Sequence, residues 1–171
     1  LSFNISTAQL SNYSFSQSSG SYSAISGTTV LGAGLDDDYS ALTNIGFNFV
    51  YDGTTYTQFS ACSNGFITLG ATADPYAYGP VSGTTNSIVI MGRDARTGGA
   101  VTYLLSGTAP NRILTIQYPT YNITYASAAN YIDMQIKLYE TTNVIVFVYG
   151  GSAQTASYSP QVGLVIGRAS C

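Results

Sequence analysis

The side chains able to carry chemistry in this sequence are few, and their types narrow what the chain can do. There are eight acidic and five basic residues, and there is no histidine. Without histidine, the Ser-His-Asp and Cys-His arrangements for nucleophilic attack are excluded. With two cysteines and no histidine, the common zinc ligand sets are excluded too. A glycosidase needs two carboxylates across a cleft, one of them with a raised pKa. Outside turns the acids are Asp94, Asp133 and Glu140. Asp133 alternates with Ile132 and Met134 as on a strand, and Glu140 opens a turn. Asp94 lies between Arg93 and Arg96, which reads as a salt bridge fixing a loop. This inventory points away from catalysis.

Three other groups invite a reading. Asp36, Asp37 and Asp38 form the one acidic run. Carboxylates this close repel one another unless they are solvated or bridged, so the run reads either as a solvated loop or as a Ca²⁺ site built from loop oxygens. The spacing is not that of an EF-hand. Tyr76, Tyr78, Tyr118, Tyr121 and Tyr125 fall in or beside two long loops, where aromatic rings stack on sugars or anchor protein contacts. They are the expected contact surface, against plain loop packing as the alternative. Cys62 and Cys171, if paired, close a loop of over one hundred residues, a constraint of about 4–5 kcal/mol in the chain-entropy model. Two buried thiols, or an intermolecular bond through Cys171, are the other readings. Asn4, Asn12 and Asn122 stand in N-x-Ser/Thr triplets, which arise by chance in so hydroxyl-rich a chain.

The elements that must position these residues read as strands. The 171 residues suit one domain with a single core. Hydrophobic residues make up 45% and charged residues only 8%, the latter against about 25% in an ordinary soluble domain. Such a surface lacks the charge repulsion that keeps molecules apart. Five scattered Lys and Arg give no basic stripe for nucleic acid. The longest apolar run, 144–149, is far short of the roughly 18 residues of a membrane helix, so no membrane insertion is expected.

No amphipathic helical stretch stands out. β-Branched and aromatic runs punctuated by Gly, Asn, Asp and Pro predict short strands. The clearest is a hairpin over 45–59, turning at Asp52-Gly53, a dipeptide suited to a type I′ turn. Phe47, Phe49 and Tyr51 alternate with Gly46, Asn48 and Val50, giving one aromatic face. Further strands are expected over 65–69, 87–91, 101–105, 112–118, 131–139 and 161–166. Residues 144–149, apolar on both faces, read as a central strand. Residues 70–85 read as a long surface loop and 119–130 as a Tyr-rich connection. Residues 1–12 form a strand-like arm before a domain over 13–171; the arm pairs either within its own sheet or with a neighbouring subunit by strand addition. The fold class expected is an all-β antiparallel sandwich, jelly-roll-like, in one domain.

The segments YSFSQSSGSYSAISGTTVL, IGFNFVYDGTTYTQFSACSNGFITLG, GTAPNRILTIQY and MQIKLYETTNVIVFVYGG occur in this order. As a set they resemble the β-rich modules of large secreted and cell-surface proteins of Bacteroidota-type bacteria. The resemblance spans residues 13–166. It implies export and a part in surface architecture, and it supplies no catalytic residues. The chain departs from the pattern in lacking Trp and in carrying Arg93-Asp94-Ala95-Arg96 where such modules place a Trp-Asp-Asp-like stretch. No sorting domain follows Cys171, so the chain reads as an excised module or as a whole small subunit. The expectation is therefore a secreted, non-enzymatic structural or adhesive module that associates with itself, as in a filament or layer, or with neighbouring surface proteins. The alternative is a carbohydrate-binding module. No cofactor is expected apart from Ca²⁺ in the second reading of the acidic run.

Overall fold

A computed structural model describes residues 13–79 and 83–166. Ten strands run in chain order: β1 (Thr28–Leu31), β2 (Thr43–Tyr51), β3 (Thr54–Cys62), β4 (Phe66–Leu69), β5 (Ser87–Gly92), β6 (Val101–Ser106), β7 (Ile113–Thr124), β8 (Ser127–Tyr139), β9 (Ile145–Ala153) and β10 (Gln161–Val165). They form two five-stranded antiparallel sheets packed face to face, in the orders β1-β6-β7-β8-β9 and β10-β5-β4-β3-β2. Each sheet is a four-strand meander with one further strand added at an edge. β1 and β10 are the added strands, and each joins the meander that does not adjoin it in sequence. The all-β sandwich expected from the sequence is the fold.

The β2–β3 hairpin forms as its turn residues require. Asp52 and Gly53 have φ of 48° and 73°, the left-handed values a type I′ turn demands. β2 alternates strictly, with Ile45, Phe47, Phe49 and Tyr51 all buried in the core between the sheets. The opposing sheet supplies Leu114, Ile116 and Tyr118 from β7, and Met134, Ile136 and Leu138 from β8.

Two segments cover the outer faces of the sheets. Residues 70–79 do form a connection, but one that folds back over the second sheet. Ala73 and Ala77 close a smaller apolar cluster there with Cys62, Phe66, Val89 and Val165. This is why β4 and β5 are buried at every position. On the other sheet, the chain before β1 crosses the outer face above Gln117 and Gln135, which are direct partners on β7 and β8. Gln135 Nε2 donates to Gln117 Oε1 at 2.9 Å and to the Ser23 carbonyl at 2.7 Å. The Tyr22 hydroxyl and the Ile25 amide both donate to Gln117 Oε1, at 3.0 and 2.9 Å. Buried amides need such partners, and the crossing segment supplies them to Gln117 Oε1 and Gln135 Nε2, while Gln135 Oε1 is left without one.

Two expectations are corrected. Residues 119–130 are not a loop: β7 and β8 stay paired as far as Thr124↔Ser127, and the turn lies at their tip. Pro119 misleads because proline enters a paired strand only at an edge or a bulge. Here the register shifts between Tyr118 and Tyr121, and Thr120 adopts φ of 43° with its amide donating to Asp133 Oδ1 at 2.7 Å. Residues 144–149 are not central either. β9 is the outermost strand of its sheet, partly exposed at every position. Its two apolar faces reflect packing on the core on one side and a half-covered surface on the other. The 1–12 arm lies outside the described residues.

Candidate functional site

The chemistry gathers at one end of the sandwich, where the β1–β2, β4–β5 and β5–β6 connections meet the β7–β8 hairpin. Asn64, fully buried, is the pin. Its Nδ2 donates to the Pro75 carbonyl at 2.7 Å, and its Oδ1 accepts from the Ala95 amide at 3.0 Å. Ala95 is thereby held inward with no exposure, so that its neighbours face solvent.

Asp94 consequently joins Asp36 and Asp37, and one carboxylate oxygen from each lies within 4.8 Å of the other two. Asp38 does not take part. Its amide donates to Ser63 Oγ, and its own Oδ1 accepts from the Tyr39 amide at 2.7 Å. The acidic run thus supplies two members of the cluster and not three, because Asp37 at φ 47° turns the chain between them. Asp94 forms no ion pair with Arg93 or Arg96, contrary to the sequence reading; among the described residues the ion pair is Arg112 with Glu140. Arg93 instead lies over the Tyr158 ring, 4.7 Å from its centroid.

Electrostatics at the cluster follow from this crowding. Partial burial, then the charge of Asp37, raises the Asp36 pKa above the ordinary carboxylate value. Burial and the charges of Asp36 and Asp37 raise that of Asp94. The Tyr78 hydroxyl donates to Asp37 Oδ2 at 2.9 Å, and that bond pushes its pKa up to about 12. Asp37 Oδ1 is buried without a hydrogen-bond partner. An all-oxygen set with an unsatisfied carboxylate oxygen fits a hard cation such as Ca²⁺. Asp36, Asp37 and Asp94 would hold it.

Beside the cluster is an open cleft of about 470 Å³, lined among others by Arg96, Thr97, Thr120, Asn122 and Tyr131. Asp36 and Arg96 are bridged through their backbones, as are Arg96 and Asn122. Asn122, oriented by its neighbours, donates to the Thr120 carbonyl and accepts from Arg96 Nε, each at 3.1 Å. It is 5% exposed, so its N-x-Thr triplet is closed to modification in the folded chain. The bulge at Pro119-Thr120 shapes the floor. A Cβ on Gly98 would meet the Thr120 carbonyl oxygen at 1.8 Å, so only glycine permits this approach.

The five tyrosines separate into two groups. Tyr76, Tyr78 and Tyr125 are exposed, at 69%, 43% and 49%. Tyr118 and Tyr121 are corrections: both are buried on β7, with rings 6.1 Å apart and edge to face. Their hydroxyls cross to the other sheet and donate to the carbonyls of Phe66 at 2.8 Å and Met91 at 3.0 Å. Burial raises both pKa values well above 10. The cause of the misplacement is the same Pro119 that made this strand look like a loop. Arg96 and Tyr131, neither of which the residue pattern marks as a contact residue, line the cleft in their stead.

Cys62 is a free, buried thiol. It accepts from the Asn64 amide at 3.4 Å, and burial pushes its pKa up to about 12, which disfavours the nucleophilic thiolate. Cys171, its expected partner, lies outside the described residues.

Among the described residues, no helix is long and apolar enough to cross a membrane. No curated protein and no solved structure matches the chain. A family model described as NIDO related matches residues 12–170, nearly the whole sequence and all of both sheets. The chain belongs to the NIDO-related family.

Proposed function

We propose that the chain is a non-enzymatic, extracellular structural or adhesive module whose copies associate with one another. The observation that carries this reading is a surface poor in charge and rich in exposed rings. Charged residues are 8% of the sequence, while Phe15, Tyr76 and Tyr125 are 89%, 69% and 49% exposed. Large apolar groups exposed on a surface with little charge to repel neighbours favour contact between molecules. The resemblance to bacterial surface modules supports the extracellular setting. A rigid sandwich held by tyrosine hydrogen bonds between its sheets suits a spacer. Ca²⁺ at the acidic cluster would tie the β1–β2 and β5–β6 connections together, and a chelator would then lower the melting temperature.

The test is light scattering across the micromolar range, with negative-stain microscopy of the same material. Association that grows with concentration, or visible fibres or layers, is the expected result. A monomer at every concentration overturns the reading.

The cleft favours a second reading, as a carbohydrate-binding module. Its lining of Arg96, Thr120, Asn122 and Tyr131 offers hydrogen bonds and one aromatic ring. A glycan array would then give a ligand whose binding is lost in Tyr131→Ala. An array without hits removes this reading.

A further inference from the structure

The two long edges of the sandwich are finished differently. Along β2, side chains take up backbone groups of the strand and its turn. Arg112 Nη1 donates to the Gly46 carbonyl at 2.7 Å, the Val50 amide donates to Asn143 Oδ1 at 2.8 Å, and the Asp52 amide donates to the Tyr13 hydroxyl at 2.8 Å. The other two edges, β1 and β10, are only four and five residues long, and both carry a break in register. β9 is nine residues long and lacks such side-chain clamps; its register with β8 breaks once, beyond Tyr149, and leaves residues 145–149 as an unbroken run. It contains no charge and no proline, and no hydrogen bond from another side chain reaches its backbone among the described residues. Tyr149 on the strand and Val144 just before it are 42% and 48% exposed. Folded proteins blunt long edges because a row of unpaired amides and carbonyls is a template for another chain.

The pairing parity of β9 shows which groups are free. The Tyr139 amide donates to the Val144 carbonyl at 3.1 Å. In an antiparallel ladder the hydrogen-bonded pairs then fall on Lys137↔Val146 and Gln135↔Val148. Ile145, Phe147 and Tyr149 therefore turn their amides and carbonyls away from the sheet.

We propose that β9 pairs antiparallel with β9 of a second copy about a two-fold axis, joining two five-stranded sheets into one of ten strands. This rests on the self-association reading above and gives it a surface. A two-fold contact between identical uncharged strands is self-complementary: each copy offers the donors and acceptors that the other lacks. The flanking charges favour this direction. On the outer face of β8, Lys137 stands opposite Val146, while Asp133 Oδ2 lies against Gly151, toward the other end of β9. The two-fold axis turns the Lys137 end of one copy toward the Asp133 end of the other, three strand spacings or about 14 Å away. A parallel arrangement would set like charges side by side.

Val146→Glu and Val146→Lys test the contact. The glutamate faces Lys137 within its own sheet, so the fold is kept, while two copies bring like charges together on adjacent strands. Light scattering should show the self-association of Val146→Glu weakened by at least about tenfold. An equimolar mixture with Val146→Lys should restore it as a mixed dimer. Hydrogen exchange on the unaltered protein is a second measurement that needs no variant. The amides of Phe147 and Tyr149 should exchange more slowly as concentration rises. If the chain associates while Val146→Glu behaves as the parent, or while these two amides exchange at one rate throughout, β9 pairing is wrong and self-association stands. If the parent is monomeric throughout, the broader reading falls, and this contact falls with it.

Discussion

Tyr118 and Tyr121 lie between the sheets with their hydroxyls on carbonyls of the opposite sheet, whereas Tyr76 and Tyr78 lie on the β4–β5 connection with their rings in solvent. The same residue type does two kinds of work a short distance apart. In the interior, the ring fills the core and the hydroxyl meets a carbonyl that would otherwise be buried without a partner. Tyr149 makes a third such crossing, to the Ile90 carbonyl at 2.8 Å. At the loop end, only Tyr78 has a polar anchor, and that anchor is Asp37 of the acidic cluster. Tyrosine content alone therefore marks neither a contact surface nor a core. What decides is whether the strand beneath the ring stands inside its sheet and turns the ring toward the other sheet.

The largest expected effect tests the interior half of this comparison. Tyr121→Ala should destabilise the fold by about 3–5 kcal/mol, read from the denaturant midpoint, since a large buried side chain leaves a cavity and an unpaired carbonyl. Tyr76→Ala should stay within about 0.5 kcal/mol of the parent by the same measurement. Equal losses from the two would break the comparison.

Tyr118→Phe sharpens it by removing the hydroxyl and keeping the ring. The expected cost is about 1–2 kcal/mol, the penalty for stranding the Phe66 carbonyl. The same hydroxyls contribute to the alkaline limb of stability. Their folded-state pKa values are raised above the unfolded value of about 10. The folded state therefore keeps protons that the unfolded state gives up. Stability is fully present below pH of about 10 and is lost as pH rises beyond it. A pH series of melting temperatures should show this decline, and a Tyr118→Phe/Tyr121→Phe variant should show a shallower one. An identical slope in the two proteins would place the buried phenols elsewhere.

The smallest effect belongs to the loop end. Asp36 and Asp94 have raised pKa values, so their folded-state carboxyls favour the proton and their repulsion costs stability once both are charged. In a chelating buffer at neutral pH, Asp94→Asn should raise stability by a few tenths of a kcal/mol, a small figure because the cluster is largely solvated. The gain should fade as pH falls through the carboxylate range and the parent becomes protonated.

Much of the sandwich was legible from the residues. The period of two in β2 and the Asp52-Gly53 turn are local features, set within a few bonds of each residue. Most other strands announce themselves by β-branched and aromatic runs. The failures share a cause. Pro119 reads as a strand breaker because its missing amide cannot join a ladder, yet a bulge at Thr120 absorbs it, and with it went the placement of Tyr118 and Tyr121. β9 reads as central because apolar residues occupy both faces, and nothing in a strand's own sequence tells where in the sheet order it will stand. The acidic run supplies Asp36 and Asp37 to the carboxylate cluster, but the third member comes from another connection.

Residue types and near neighbours suffice for the all-β class, the first hairpin, the absence of histidine chemistry and the scarcity of charge. Tertiary structure decided which tyrosines are buried, that Asp94 replaces Asp38 beside Asp36 and Asp37, that Arg96 and Tyr131 share a cleft, and that β2 is clamped while β9 is bare. Each of these follows from sheet order and from loops folding back over sheet faces. Such relations join residues far apart in the chain, and no local pattern encodes them.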